Sequence, residues 1–309
     1  MTETCAVILA AGRGTRMGEL GQRHPKALLP VGDAPVVGHH LRMLRKLGIQ
    51  DVIVVIGYRG ADVVRELADG TGYGVRIRYI EQQVQLGIAH AVGRVRSEVA
   101  GPFLLLLGDY FFWAEAPERL VARLDAGASA ITTKREPDPR LVAAACEVCT
   151  DDRQRVTAVV EKPHRPASDL KGCGFYAFQQ VIFDYIGVTP RTALRDEYEL
   201  SVSIDLLVRA GHDVFAEDVR IWDCNLTVPV DMLDCNMEWL RRVGRRLFVS
   251  PDAVVEEDVM MDRVVICAGA RVSRHTKLDE VVVMPNATVL EGAVLRRALV
   301  TSEATYGPL

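Results

Sequence analysis

Five short runs rich in Val, Ile and Leu, at residues 6–9, 52–56, 75–80, 103–107 and 130–133, alternate with helix-length stretches at 37–47, 61–68, 88–99 and 117–124. No other feature restricts the fold as strongly. Strand-length apolar runs separated by amphipathic segments bury themselves as parallel strands joined by crossover helices. The run at 103–107 is apolar at every position, as expected where helices cover both faces of a sheet. The expected fold class is therefore α/β, a doubly wound, mixed but mainly parallel sheet. Ligands of such sheets bind beyond the carboxyl ends of the strands, where residues 12–16 and Gly108-Asp109 fall.

After about Arg135 the texture is mixed, with strands expected near 143–148, 156–160 and 173–178 and helices near 180–186 and 200–210. A connecting helix is expected over 238–247, with Leu240, Val243 and Leu247 on one stripe. From Phe248 onward apolar residues recur at six-residue intervals: Val259 to Val265, Val272 to Leu278, and Val283 to Val289 to Leu295. That period suggests a few coils of a short left-handed parallel β-helix, or an irregular β extension. The phase slips by one residue between blocks. The expected division is residues 1–240 and 241–309.

A length of 309 residues, 49% hydrophobic, suffices for a large core. The net charge of −4 and pI near 6.0 supply no basic field, so neither nucleic acid nor an anionic membrane is an expected partner. Seven cysteines without CxxC pairs argue for reduced thiols in a cytoplasmic setting. No segment reaches the roughly 18 uninterrupted apolar residues of a membrane span. Residues 4–10 run into a Gly-rich loop rather than a cleavage site, so they read as the first strand.

That loop, Leu9-Ala-Ala-Gly-Arg-Gly-Thr-Arg-Met17, is followed by Pro25-Lys26-Ala-Leu-Leu-Pro30. Gly12 and Gly14 allow backbone amides to approach a polyphosphate, and Arg16 and Lys26 add fixed positive charge. The dinucleotide fingerprint fails because Met17 stands where a glycine is required. A P-loop fails because Gly-Lys-Ser/Thr is absent. Asp109 ends the most apolar strand and cannot join the core unpaired; it reads as a metal ligand or a helix cap. His24, His39, His40, His90, His164, His212 and His275 show no metal spacing and read as surface or core-edge residues.

Leu9 to Met17 together with Pro25-Lys26 resembles the signature of the sugar-1-phosphate nucleotidylyltransferases, a Rossmann-like family, across roughly residues 4–240. The resemblance implies that Leu9, Ala11, Gly12, Gly14 and Thr15 hold the nucleotide. Arg16 would grip the β- and γ-phosphates and Lys26 would neutralise charge at the α-phosphate. Glu81-Gln82-Gln83-Val84-Gln85-Leu86-Gly87 resembles a base-reading segment, with Gln82 bonding the base and Gly87 letting it lie close to backbone. Gly108 and Asp109 would serve the acceptor sugar, and Asp109 also Mg²⁺. Glu161-Lys162-Pro163 matches a motif whose glutamate binds sugar hydroxyls and whose lysine binds the acceptor phosphate. Gly174 would admit the sugar, and Glu199 lies in an acidic segment opening a helix.

The family's second metal-binding Asp is replaced by Asn225, so that Asn225 completes the shell, or Asp223 reaches in, or one contact is lost. Tyr110 after Gly-Asp and Ile88 within Leu-Gly-Ile-Ala are further departures, leaving room for a sugar-like cyclitol phosphate as acceptor. The implied reaction is in-line attack of a sugar 1-phosphate on a nucleoside triphosphate, with no covalent protein nucleophile. Arg16, Lys26, Asp109 and Lys162 would carry the catalysis. A non-catalytic, regulatory nucleotide- or sugar-phosphate-binding paralogue is the alternative. An acyl-transferring tail is discounted because the tail is short and lacks a suitable histidine. β-Helical tails present edges that pack between subunits, so a homo-oligomer is expected.

Overall fold

The computed structural model describes residues 4–193 and 196–307; the outermost ends of the two expected regions, 1–3 and 308–309, lie outside the described residues. Two compact units emerge, and neither is a single stretch of chain. The first is formed by Met1–Gly12 with His40–Asp223, the second by Arg13–His39 with Cys224–Leu309.

The first unit is built on a nine-stranded sheet. Cys5–Ala10 lies at its heart, parallel to Asp51–Ile56 on one side and to Phe103–Leu107 on the other, and Arg76–Glu81 adds a fourth parallel strand. The apolar runs of the sequence form these strands, as expected. Beyond Phe103–Leu107 the sheet turns antiparallel through Leu170–Phe178, which also pairs with Ser129–Arg135. Cys5, Val7, Ile53, Val55, Phe103 and Leu105 share a core with Ala91, Val92, Ile182, Phe183 and Ile204 from covering helices. The chain leaves the parallel edge at Arg76–Glu81 and returns on the far side of Cys5–Ala10. The direction of winding therefore reverses between Cys5–Ala10 and Phe103–Leu107, where doubly wound sheets open a ligand crevice.

Two local expectations shift. The strand expected at 143–148 begins only at Cys146, because Asp138-Pro139 starts a short helix, Pro139–Ala143, whose first turn is closed by the Asp138 carboxylate accepting from Arg140 N at 2.9 Å. The connecting helix runs over Asp231–Arg242 rather than 238–247. The Asp231 carboxylate accepts from the amides of Thr227 and Val228 at 2.6 and 2.7 Å, which starts the helix seven residues early. Its buried face is Met232, Leu233, Cys235, Asn236, Trp239 and Leu240, whereas Val243 and Leu247 stay more than a third exposed.

In the second unit that helix seats the hairpin Pro30–Val31 and Ala34–Pro35. Gly32 donates to Asn236 Oδ1 at 2.8 Å with φ of 57°, and a Cβ there would stand 2.2 Å from the Trp239 ring. Only glycine fits. From Leu247 the chain forms two parallel sheets. Met260, Lys277 and Val294 stand in register, as do Val254, Arg271 and Thr288, at a constant spacing of 17 residues. A 17-residue repeat accounts for the one-residue slip in a six-residue pattern. Val264, Val281, Ala298, Ile266, Val283 and Val300 fill its interior. The antiparallel strand Thr305–Tyr306 covers the last edge.

Candidate functional site

The carboxyl ends of the two central strands are locked together in the first unit. Gly108 N donates to Leu9 O at 2.8 Å, and a Cβ on Gly108 would lie 2.6 Å from that oxygen. The absence of a side chain thus lets the turn carrying Asp109 lie against the strand leading to Ala11 and Gly12. Asp109 itself is half-buried and Gly12 exposed. Ala11 O accepts from Gln85 Nε2 at 2.5 Å and from Tyr58 N at 3.3 Å, which draws the segment 82–87 alongside.

Within that segment Gln82 is buried, 4% exposed, and its amide nitrogen lies 2.9 Å from His90 Nδ1 and 3.4 Å from Gly87 O. Gly87 has φ of 112°, and a Cβ on it would stand 2.6 Å from Tyr198 O. The missing side chain therefore leaves room for the Tyr198 backbone, which bonds Leu86 O and Ala89 N at 2.8 and 2.9 Å.

Gly174 packs in the same close way. A Cβ there would meet Tyr110 Cγ at 2.9 Å and Leu107 Cδ1 at 3.1 Å, so the missing side chain makes room for the Tyr110 ring. The Tyr110 hydroxyl donates to Asp223 Oδ2. Lys171 reaches the same carboxylate at 2.8 Å and Lys134 reaches Oδ1 at 2.5 Å. The Asp223 side chain is 1% exposed. Burial alone would raise its carboxyl, but the two ammoniums and the tyrosine hydroxyl outweigh that and hold it below the usual carboxylate range. In this arrangement the Asp223 carboxylate is neutralised by two lysines. Sequence reading missed Lys134 and Lys171, since isolated lysines near strand ends carry no pattern. The clue was Tyr110.

On the sugar side, Glu161 Oε2 accepts from Ser201 Oγ at 2.8 Å, and Lys162 follows with φ of 43° and its amide on Ala145 O at 2.9 Å. Glu199 is buried and sits at the N-terminus of the helix Leu200–Arg209.

The second unit carries the remaining residues. Gly14 has φ of 64° and accepts from Met17 N at 2.9 Å, closing a tight turn through the exposed Thr15 and Arg16. Met17, fully buried, anchors it. A Cβ on Gly14 would press on Lys26 Cγ at 3.1 Å, so the lysine stem, largely buried, lies along this glycine. Asn225 is exposed at the end of its strand. Among the described residues no group of three or more His, Cys, Asp or Glu side chains is arranged to hold a metal ion.

A family model described as nucleotidyl transferase matches residues 5–223. Over 226 residues the chain is 34% identical to the UTP–glucose-1-phosphate uridylyltransferase AglF of Haloferax volcanii, covering 73% of this chain and 92% of that protein. Over 322 residues it is 31% identical to a glucose-1-phosphate thymidylyltransferase of Streptomyces griseus, covering 96% and 88%. Among solved structures, UDP-glucose pyrophosphorylase complexed with UDP-glucose superposes with a TM-score of 0.67 at 16% identity, covering 78% of this chain and all of that one, a likeness of fold.

Proposed function

The chain belongs to the nucleotidyl transferase family, and on that premise we propose that it condenses a nucleoside triphosphate with a sugar 1-phosphate or a sugar-like cyclitol phosphate, releasing pyrophosphate. The observation that carries this reading is the Gly108–Leu9 lock, which sets a carboxylate and a glycine-bearing loop at the winding reversal of the sheet. In the proposed reaction Leu9, Ala11, Gly12, Gly14 and Thr15 cradle the nucleotide and Gln82 reads the base. Arg16 and Lys26 neutralise the triphosphate. Glu161 and Glu199 bind the acceptor ring and Lys162 its phosphate, presenting an oxygen in line with the α-phosphorus. Such transfer needs positioning and charge stabilisation rather than a protein nucleophile.

The family is commonly metal-dependent, and Mg²⁺ on Asp109, with Asn225 as a neutral second donor or Asp223 in its place, is the ion we propose. When bound it offsets charge on the donor phosphates. We further read the tail as a left-handed β-helix appended to a catalytic region over 1–240, and the protein as a cytoplasmic homo-oligomer.

Pyrophosphate release from a panel of triphosphates and sugar 1-phosphates tests the reaction, and silence with every pair would defeat it. Replacement of a family aspartate by Asn225 favours the second reading, a regulatory binding paralogue; that protein would bind nucleotide and turn over nothing. Lys162→Ala is expected to raise the acceptor KM at least about tenfold, the loss of a charge-assisted bond, with triphosphate binding unchanged by calorimetry. Equal losses on both sides would contradict its assignment to the acceptor.

A further inference from the structure

An amide side chain offers two N–H donors and one carbonyl acceptor, and which end faces a ligand decides what it reads. Both hydrogens of Gln82 are committed within the protein. Gly87 O, which only accepts, lies 3.4 Å from Nε2, and so identifies that end as the nitrogen; His90 Nδ1 takes the other hydrogen at 2.9 Å. His90 can do this only as neutral imidazole with the proton on Nε2. Burial first, and the Arg94 charge second, push it below the ordinary histidine value, so its Nδ1 lone pair is kept. The ring is steadied from elsewhere, since Tyr198 stacks on it at 6.4 Å between centroids and 27° between planes, on a backbone fixed by its bonds to Leu86 and Ala89. What Gln82 has left to offer a nucleotide is its carbonyl oxygen.

We propose that His90 is a positioning residue that fixes the Gln82 amide so that its carbonyl faces the nucleotide, which selects bases carrying a ring N–H (uracil, thymine and guanine) over adenine and cytosine, whose corresponding ring nitrogens present a lone pair. The inference rests on the transferase reading in taking Gln82 as the base contact. A carbonyl opposed to a ring lone pair loses a hydrogen bond and leaves two acceptors facing each other.

Two measurements on one set of proteins test it: calorimetric binding of UTP, dTTP, GTP, ATP and CTP, and pyrophosphate release with the same five. Wild type is expected to favour the ring N–H bases by on the order of tenfold or more in both. His90→Leu frees the amide to rotate and should bring that ratio toward one, with the acceptor KM unchanged. His90→Asn, whose Oδ1 can accept in place of Nδ1, should restore the preference. A wild type that prefers ATP or CTP overturns the proposal, as does His90→Leu with the wild-type ratio. Ring N–H preference in binding without turnover would fell the transferase reading and leave this one standing. Turnover without base preference would do the reverse.

Discussion

Single side chains here act mainly by the space they leave or the charge they cancel. Asp223 is the clearest case of the second. Removing its charge strands two ammoniums, with side chains only 26% and 14% exposed, and breaking a buried pair typically costs about 3–5 kcal/mol. Asp223→Asn should therefore lower unfolding free energy by roughly 3 kcal/mol in urea titration, whereas an unchanged midpoint would show that Lys134 and Lys171 relax into water. Because the Asp223 carboxyl is held below its ordinary value, its contribution is complete above the ordinary carboxylate pKa and declines as pH falls through the lowered one. Gly174→Ala tests the first kind of residue. The added methyl at 2.9 Å from the Tyr110 ring should destabilise by about 1–3 kcal/mol. Had Gly174 been open to the sugar, the same change would leave stability intact and raise the acceptor KM.

Secondary elements were legible where hydrophobic period alone decides them. The parallel strands needed only their apolar pattern, continuous in Phe103–Leu107 and alternating in Arg76–Glu81, and the glycine-loop turn could be named because sequence neighbours build it at Gly14. Element starts set by a distant or unpatterned hydrogen bond were not legible. Helix Asp231–Arg242 begins where the Asp231 carboxylate collects two amides, and no periodicity announces that. Asp231→Ala should shift the thermal midpoint downward through a loss of about 2 kcal/mol. A melting curve superimposable on wild type would mean that Trp239 and Leu240 packing alone holds the helix.

At the scale of the whole molecule, the tail is a 17-residue repeat whose parallel strands stand in register, and its stability comes from neighbouring repeats. Met260, Lys277 and Val294 align only at a spacing of 17. Deleting residues 273–289 removes one 17-residue repeat and should leave a cooperatively melting protein with parallel pairing preserved. Deleting one residue more should turn the interior column outward and abolish the cooperative transition of the tail. Equal behaviour of the two deletions by calorimetry would show that register is not what stabilises it.

What the sequence determined by itself was the class of fold, the order of the parallel strands' apolar runs and the glycine-bearing turn after the first strand. These follow from residues that are neighbours along the chain, where periodicity and turn chemistry act. Only the tertiary structure decided that residues 13–39 fold with the C-terminal part, because Gly32 meets its partner Asn236 across 204 residues. It also decided that Gly87 and Gly174 pack against Tyr198 and Tyr110, that Asp223 pairs with two lysines, and that His90 bonds Gln82. Each of these rests on which groups distant elements bring together. Packing fixes that, and no spacing along the chain records it.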